Sequence, residues 1–507
     1  MSAALPWIIS FSCTAILWAL VMRLPFRQPT GAAVVSASLL LWTLAAHGIN
    51  QEAAFLAAGL TLVLIASAVA VDPAATRGIE RGLLVAGCGN AIAGLSQYFG
   101  IAPLLAPWVF AGGLGEAFGN VRQPNQYASL CWLSVAVLVF GRWPLSSFVS
   151  RCMAALLGIA AAASASRTGL IEGLLLITLA GMWPGAERRG RVILCSFAVG
   201  AYFSAAVLLP LVLEAITGEL PARALWKRFD SGASCSSRAV LWSNVLHLIG
   251  ERPLRGWGPG ELDYAHFVTL YPGDRFCEIL DNAHSLPLHV AVELGVPAAV
   301  LTGGLAIWWV ARQRPWAEQE PQRQCAWALL AIVTLHSMLE YPLWYGPFQV
   351  IFGVSLGWLM ADRLPQRVMR VSRYSVAAAT FLLAAVLYIA WDYVRISQAY
   401  LPPAERVGRW REDPLSHARS SWLFSNQVTF AELTVAPLTR ANADWMYAAS
   451  QRMLHYSPEP RVIERLVESA VLAGHESEAL PHLARFRAAF PREYDAWRKG
   501  QEPAIQD

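Results

Sequence analysis

The sequence predicts an all-α, polytopic membrane protein, and three observations carry that reading. Hydrophobic residues make up 56% of the chain and charged ones 15%, with a mean hydropathy of +0.42, a balance typical of chains that cross a bilayer repeatedly. Apolar runs of near-spanning length recur along the chain. Basic residues gather in alternate connections between those runs.

The runs fall near residues 5–22, 32–48, 53–71, 82–99, 126–140, 152–165, 168–183, 192–213, 285–310, 325–340, 347–361 and 375–394. They make about twelve spans; 152–165 and 168–183 are short for a ~20-residue crossing, so the count could equally be eleven or thirteen. The first run has no basic segment before it and no small-residue cleavage site after it, and reads as a span, not a removed leader. Alternate short connections hold Arg23 and Arg27; Arg77 and Arg81; Arg142 and Arg151; Arg188, Arg189 and Arg191; Arg312, Arg314 and Arg323; and Arg363, Arg367, Arg370 and Arg373. The intervening ones hold only Arg122 and Arg167. The positive-inside rule puts the first set in the cytoplasm, and both termini and the long polar segment 215–284 outside. The net charge of +4 follows this bias and gives no reason to expect nucleic acid. Of the 39 basic residues only Lys227 and Lys499 are lysines. GC-rich coding accounts for that better than a need for bidentate donors.

Three parts follow: a membrane domain, 1–394, with the exported loop 215–284 inserted in it, and an exported helical tail, 395–507. In the tail, Ser416–Phe430, Ala441–His455, Arg461–Ala473 and Ser477–Phe490 read as amphipathic helices separated by Pro or Gly. Gly474-His-Glu-Ser-Glu-Ala-Leu480, ending at Phe490-Pro491, resembles half of a tetratricopeptide unit. One unit cannot stack alone, so either the preceding helices complete a short array or the tail packs on the loop.

The loop runs into His284-Ser285-Leu286-Pro287. Residues 284, 288, 291 and 295 share one helical face, which puts His284 at the outer mouth of the span beginning there. An imidazole so placed serves as a general base toward a hydroxyl, or simply bonds a neighbouring carbonyl. His289, one turn deeper, reads as structural. Arg238 opens an amphipathic stretch through His247 to Gly250, and Arg252-Pro-Leu-Arg255-Gly-Trp-Gly-Pro-Gly makes a tight glycine-rich turn. Guanidinium groups suit phosphates through bidentate contacts. The bland alternative is a solvated loop in which Glu219, Asp230, Glu251, Glu261, Asp263, Asp274, Glu278 and Asp281 cancel its bases. Arg167 interrupts an alanine-rich span, where an arginine costs about 2.5–3.5 kcal/mol and calls for an anion, either Glu172 or a lipid phosphate. Arg122, Gln123 and Asn125, in the exported stretch Gly119–Gln126, suit sugar hydroxyls or phosphate, or else turn chemistry. His336 and Glu340 lie four apart on one face within the bilayer and lead into Tyr341-Pro-Leu-Trp-Tyr345.

Cys13, Cys88, Cys131, Cys152, Cys195 and Cys325 fall in or beside spans and act there as small apolar residues. Cys235 and Cys277 both lie in the exported loop, where a disulfide between them would close about 43 residues; two free thiols in a poorly ordered loop are the alternative. No Cys/His spacing suggests a metal site.

Taken together, these motifs resemble the bacterial O-antigen ligase, O-antigen polymerase and protein O-oligosaccharyltransferase superfamily. His284-Ser285, nine residues, Gly295, two residues and Ala298 is similar to the ligase signature, which ends in Gly where this chain has Ala298. Arg238-Ala-Val-Leu241 resembles the superfamily's basic loop motif and Ser166-Arg167 its membrane arginine. Gly119–Gln126, the run His336–Tyr345 and the helical tail look more like the protein O-oligosaccharyltransferase branch. The resemblance covers residues 80–360 well and the tail loosely. It implies a polytopic inner-membrane glycosyltransferase facing the periplasm, without a nucleotide-sugar site, cofactor or required metal. The donor it implies is a glycan on undecaprenyl diphosphate, and the acceptor a Ser/Thr hydroxyl of an exported protein such as a pilin. Ligation to lipid A–core and polymerisation of repeat units are the rivals within that chemistry. By this resemblance His284, Arg238 and Arg167 are the catalytic candidates, and Arg122, Gln123, Asn125, Arg255, His336 and Glu340 contact donor or substrate. A transporter or non-catalytic lipid-binding protein is the rival of another class. It should show internal repeats, and no convincing repeat is present.

Overall fold

The computed structural model describes residues 30–48, 51–70, 73–141, 143–221, 225, 235–360 and 373–501. Among them there are helices and connections and no strand. The helices are α1 (Thr30–His47), α2 (Gln51–Val69), α3 (Pro73–Tyr98), α4 (Pro124–Phe140), α5 (Ser147–Ala163), α6 (Arg167–Met182) and α7 (Arg188–Thr217). The loop 215–284 adds α8 (Arg238–Glu251) and α9 (Leu262–Val268). The chain then continues through α10 (Leu286–Leu294), α11 (Val296–Gln313), α12 (Pro321–Leu339), α13 (Gly346–Met360) and α14 (Arg373–Ser397). The tail contains α15 (Pro414–Ala418), α16 (Ser425–Val435), α17 (Ala443–Leu454), α18 (Pro460–Ala473), α19 (Glu476–Ala489) and α20 (Pro491–Gln501).

Eleven of the twelve apolar runs fall on these helices; the run 5–22 lies outside the described residues. Among the latter, α7, at 30 residues, is the helix long and apolar enough to cross a bilayer by length and composition. Val35–His47, Glu52–Ala68, Pro124–Phe140, Ser147–Ala163 and Gly346–Met360 are shorter apolar segments. The number of crossings is therefore an inference from sequence.

Helix α4 is the axis of the bundle. It is buried from Gln126 to Phe140 except at Leu130 and packs on α3, α5, α6 and α12. A helix apolar on every face is stable only when surrounded in this way. Its start is locally encoded: Pro124 opens it, and Gln123 caps it by accepting from Gln126 N at 2.6 Å, satisfying a donor the first turn leaves over. The two short runs become α5 and α6, joined by the turn Ser164–Ser166, in which Ala165 has φ +50° and Ser166 caps α6 through Gly169 N at 3.0 Å.

The run 285–310 is not one helix. It breaks at Gly295, where φ is +90° and an added Cβ would lie 2.3 Å from the Leu254 carbonyl. Val296 N donates to Pro253 O at 2.8 Å, so the turn after α8 presses into the break. The nine residues of α10 consequently lie against α8, and only α11 continues the run.

The loop has its own core of Leu241, Val245, Leu248, Leu262, Phe276 and Leu280, which Val292 of α10 completes. Cys235 and Cys277 are disulfide-bonded, with Cα atoms 5.4 Å apart, so the structure takes the paired alternative. The bond ties the approach to α8 to the segment leading into His284. By the loop-closure argument Cys277→Ser should destabilise the loop by roughly 3–4 kcal/mol and lower activity with it. Non-reducing peptide mass spectrometry checks the pairing, and two separately alkylated cysteines in protein taken directly from the membrane would contradict it.

His266 gives the loop a pH dependence. Its Nδ1 accepts from the Tyr271 hydroxyl at 2.8 Å and its Nε2 donates to Phe276 O at 3.1 Å. Burial, and then the neighbouring Arg275, push its pKa down to about 3. Since the folded value lies below the unfolded ~6.5, His266 contributes stability that is complete above about pH 6.5. That contribution is lost on acidification toward pH 3, at about 1.4 kcal/mol per pH unit. Between pH 6.5 and 5 the wild-type loop should lose about 2 kcal/mol more than His266→Gln, measured by limited proteolysis across the pH range. Equal losses in the two proteins would refute this.

In the tail, the expected helix Ser416–Phe430 is interrupted between α15 and α16. Asp392, fully buried at the end of α14, pairs with Arg395 and accepts from Ser421 Oγ at 2.7 Å, while Arg395 donates to Ser420 Oγ at 2.7 Å. A buried carboxylate needs such donors, and supplying them takes Ser420 and Ser421 out of a helix. Helices α17, α18 and α19 stack in sequence around Met446, Leu466 and Phe486, and Phe267 of α9 belongs to the same core. His455 binds Glu261 at 2.6 Å and stacks on Tyr264 at 3.7 Å. The tail helices thus pack on one another and on the loop.

Candidate functional site

Glu340 is the centre of the candidate site. It follows the last residue of α12 in extended conformation, its N–H donating to His336 O at 2.8 Å. Its Oε2 accepts from His284 Nδ1 at 2.7 Å, and its Oε1 accepts from Asn125 Nδ2 at 3.0 Å and from the Arg238 guanidinium. Arg238 also donates to the backbone carbonyls of Leu339 and, at 3.3 Å, His284. The Glu340 side chain is 9% exposed, against 26% for His284 and 32% for Arg238. The carboxylate is thus inside and the two groups it holds face outward. Multiple charge-assisted donors of this kind are what make a buried carboxylate tolerable.

His284 does not lie on the helical face expected from the sequence. It precedes α10 with φ +49°, its N–H bonded to Asn282 Oδ1 at 2.9 Å; non-glycine residues seldom take this conformation, and they do so disproportionately at functional sites. The twist turns the ring away from the α10 axis and toward Glu340. Tyr341 meets the ring edge-on at 5.0 Å, and burial pushes its phenol well above the usual range, so it stays an O–H donor. Burial also raises the Asp281 carboxyl, against the opposing pull of His284 and His289.

Behind this surface lies a second polar layer. Ser166 Oγ donates to Asn125 Oδ1 at 2.7 Å, which orients the amide that holds Glu340. Ser129, one turn along α4 from Asn125, donates to Glu172 Oε1 at 2.5 Å, lies 3.0 Å from Asn125 O and accepts from His336 Nδ1 at 2.7 Å. Glu172 and His336 are fully buried. Glu172, considered as the partner of Arg167, is thus engaged by Ser129 and lies 3.6 Å from His336 Nδ1. Arg167 is exposed at the first position of α6, beside Ser166.

The site-residue expectations divide accordingly. The structure brings together His284, Arg238, Glu340 and Asn125, with His336 one layer deeper. Arg122, at φ +63°, lays its guanidinium over the Phe110 ring at 4.1 Å, and Gln123 is a helix cap. Arg255 lies beside the Gly295 break, at the far end of α10 from His284; nine residues of helix put about 13 Å between the two ends. Ser166 and Tyr341 belong to motifs read from the sequence but, like Ser129, are not among the expected site residues. Ser129 could have been found from its i, i+4 spacing to Asn125.

With Nδ1–H donated to Glu340, His284 carries its lone pair on Nε2, the tautomer a general base requires. Arg238 provides positive charge within the same cluster. A model of the O-antigen ligase family matches residues 152–303, and one described as the C-terminal part of a virulence factor membrane-bound polymerase matches residues 324–504. Together these matches support the O-antigen ligase superfamily for this chain. Among relatives, a general O-oligosaccharyltransferase of Acinetobacter baylyi is 23% identical over 383 residues, covering 71% of this chain and 64% of the relative. A ComP-specific O-oligosaccharyltransferase of the same organism is 22% identical over 254 residues, covering 49% and 45%. The chain spans about half to two-thirds of the length of these curated relatives, and its likeness to them supports the O-oligosaccharyltransferase branch.

Proposed function

We propose that this protein is an inner-membrane glycosyltransferase acting on the periplasmic face. It transfers a glycan en bloc from undecaprenyl diphosphate to a Ser/Thr hydroxyl of an exported protein such as a pilin. The observation that carries the proposal is the Glu340 cluster, which presents an oriented imidazole and a guanidinium side by side. The acceptor oxygen attacks the anomeric carbon while His284 Nε2 takes its proton. The bond from that carbon to the diphosphate breaks, and the electron pair leaves on the diphosphate. Arg238 and Arg167 stabilise the charge developing there, an electrostatic contribution that works best in a site shielded from water. Asn125 and Ser166 position Glu340, and Ser129, Glu172 and His336 support them from within the bundle.

Both relatives are named as O-oligosaccharyltransferases, one of them ComP-specific, and we favour a protein acceptor on that likeness; the matching family descriptions name a ligase and a polymerase, which keeps lipid A–core and a growing glycan as the rival acceptors. Deleting the gene and examining exported glycoproteins and lipopolysaccharide side by side distinguishes them. Loss of protein glycan with normal O-antigen supports the proposal. The reverse selects ligation, and altered chain length alone selects polymerisation.

A further inference from the structure

The Arg252–Trp257 turn is separated from the Glu340 cluster by the length of α10, and the transfer chemistry above makes no use of it. It borders a cleft of about 450 Å³ lined by Ala46 and His47 at the end of α1 and by Arg252 through Trp257. The turn is held firmly. Trp257 N donates to Val292 O at 2.8 Å, Gly258 N to Glu293 O at 3.0 Å, and His47 Nε2 to Arg255 O at 2.8 Å. The Arg252 guanidinium carbon lies over the Trp257 ring, 3.8 Å from its centroid, a cation–π contact that restrains the side chain. Neither Arg252 nor Arg255 has a carboxylate within ion-pair distance among the described residues. Between them Leu254 is 70% exposed. A leucine held out at the tip of a rigid polar turn is unexpected in water, and it has an obvious neighbour. The ends of α1 and α11 that meet the turn expose Leu41, Leu44, Val300 and Leu301, and Trp42 Nε1 donates to Leu294 O at the break. Apolar tip, flanking arginines and nearby tryptophans are the order of groups met on crossing from acyl chains to phosphates.

We infer that this turn is a lipid-anchoring site. Leu254 enters the outer-leaflet acyl layer while Arg252 and Arg255 hold the phosphate of an acidic glycerophospholipid in the cleft. Two guanidinium groups that form no ion pair among the described residues favour a headgroup with net negative charge over a zwitterionic one, whose ammonium they would repel. The anchor would fix the loop, and through Gly295 the start of α11, at a set depth. The inference rests on reading α1 and α11 as membrane helices.

The test uses the full chain purified in mild detergent and reconstituted in phosphatidylcholine nanodiscs doped with phosphatidylglycerol, with retained lipid measured by native mass spectrometry. Wild-type protein should retain phosphatidylglycerol preferentially. Arg252→Gln and Arg255→Gln should each weaken that retention about fivefold, and Arg238→Gln should leave it unchanged. Undiminished retention in the Arg252→Gln/Arg255→Gln double variant would overturn the inference. So would equal loss in Arg238→Gln, which would put the lipid in the transfer site, or displacement by an equimolar amount of undecaprenyl phosphate, which would make the cleft a carrier-lipid site. An intact Cys235–Cys277 bond in each variant shows that the loop has folded. Release of wild-type protein by alkaline carbonate without detergent would remove the membrane reading itself, and the inference with it.

Discussion

His284→Ala is expected to reduce glycan transfer by about 10²–10⁴-fold, the range a general base contributes, with normal amounts of protein in the membrane. The ring projects from the loop toward Glu340 and is partly open to the outside, so its removal leaves no large cavity. Glu340→Gln should be nearly as damaging. The amide no longer compensates Arg238, and it can present its NH₂ group to Nδ1, which favours the tautomer whose Nε2 is protonated. Because the two residues act as one unit, the double variant should be little worse than either single one; multiplied losses would show that they act separately. Arg238→Ala should give weak donor use. Arg238→Lys should restore only part of it, because one ammonium cannot reach Glu340 and the Leu339 and His284 carbonyls with the geometry of a guanidinium fork. Arg167→Ala should behave like Arg238→Ala. Wild-type activity in the alanine variants of His284, Arg238 and Arg167 would remove this site from consideration.

A large loss of folding is also expected at the crossing of α2 and α13. A Cβ on Gly353 would meet Val63 O at 2.4 Å, and one on Gly357 would meet Ser67 O at 2.2 Å. The obstructing atoms are backbone, which cannot rotate away as a side chain can. Small residues four apart let two helices approach this closely and gain dispersion contacts along the crossing. Gly357→Leu should force the pair apart at a cost of about 3 kcal/mol, the upper end of ordinary overpacking. It should shift the detergent-extracted protein toward aggregate in size-exclusion chromatography. Gly181→Ala, where nothing lies within 4 Å of the added carbon, should be neutral or slightly stabilising, since alanine is the better helix former. A monodisperse Gly357→Leu protein of normal thermal stability would show that this contact is not close.

What the sequence by itself determined are the properties that nearest neighbours along the chain encode. The all-α class, the positions of most helices, the start of α8 at Arg238 and the helical tail follow from apolar periodicity, caps and Pro/Gly stops, which act within a few residues. His284 and Glu340 were legible because each is an ionisable group at or within an apolar run, where one is costly; Arg238 was legible from the amphipathic stretch that it opens. Their assembly was not. Asn125 and Glu340 are 215 positions apart, and their hydrogen bond exists because α4 and α12 pack together, with Arg238 and His284 delivered from a loop held by its own core and disulfide. Only the tertiary structure decided that His284 stands outside α10, that Gly295 splits an apparently continuous apolar run, and that Arg255 belongs to the far end of α10. In each case a long-range contact overrides a local preference: the Leu254 carbonyl at Gly295, and the Glu340 carboxylate at His284.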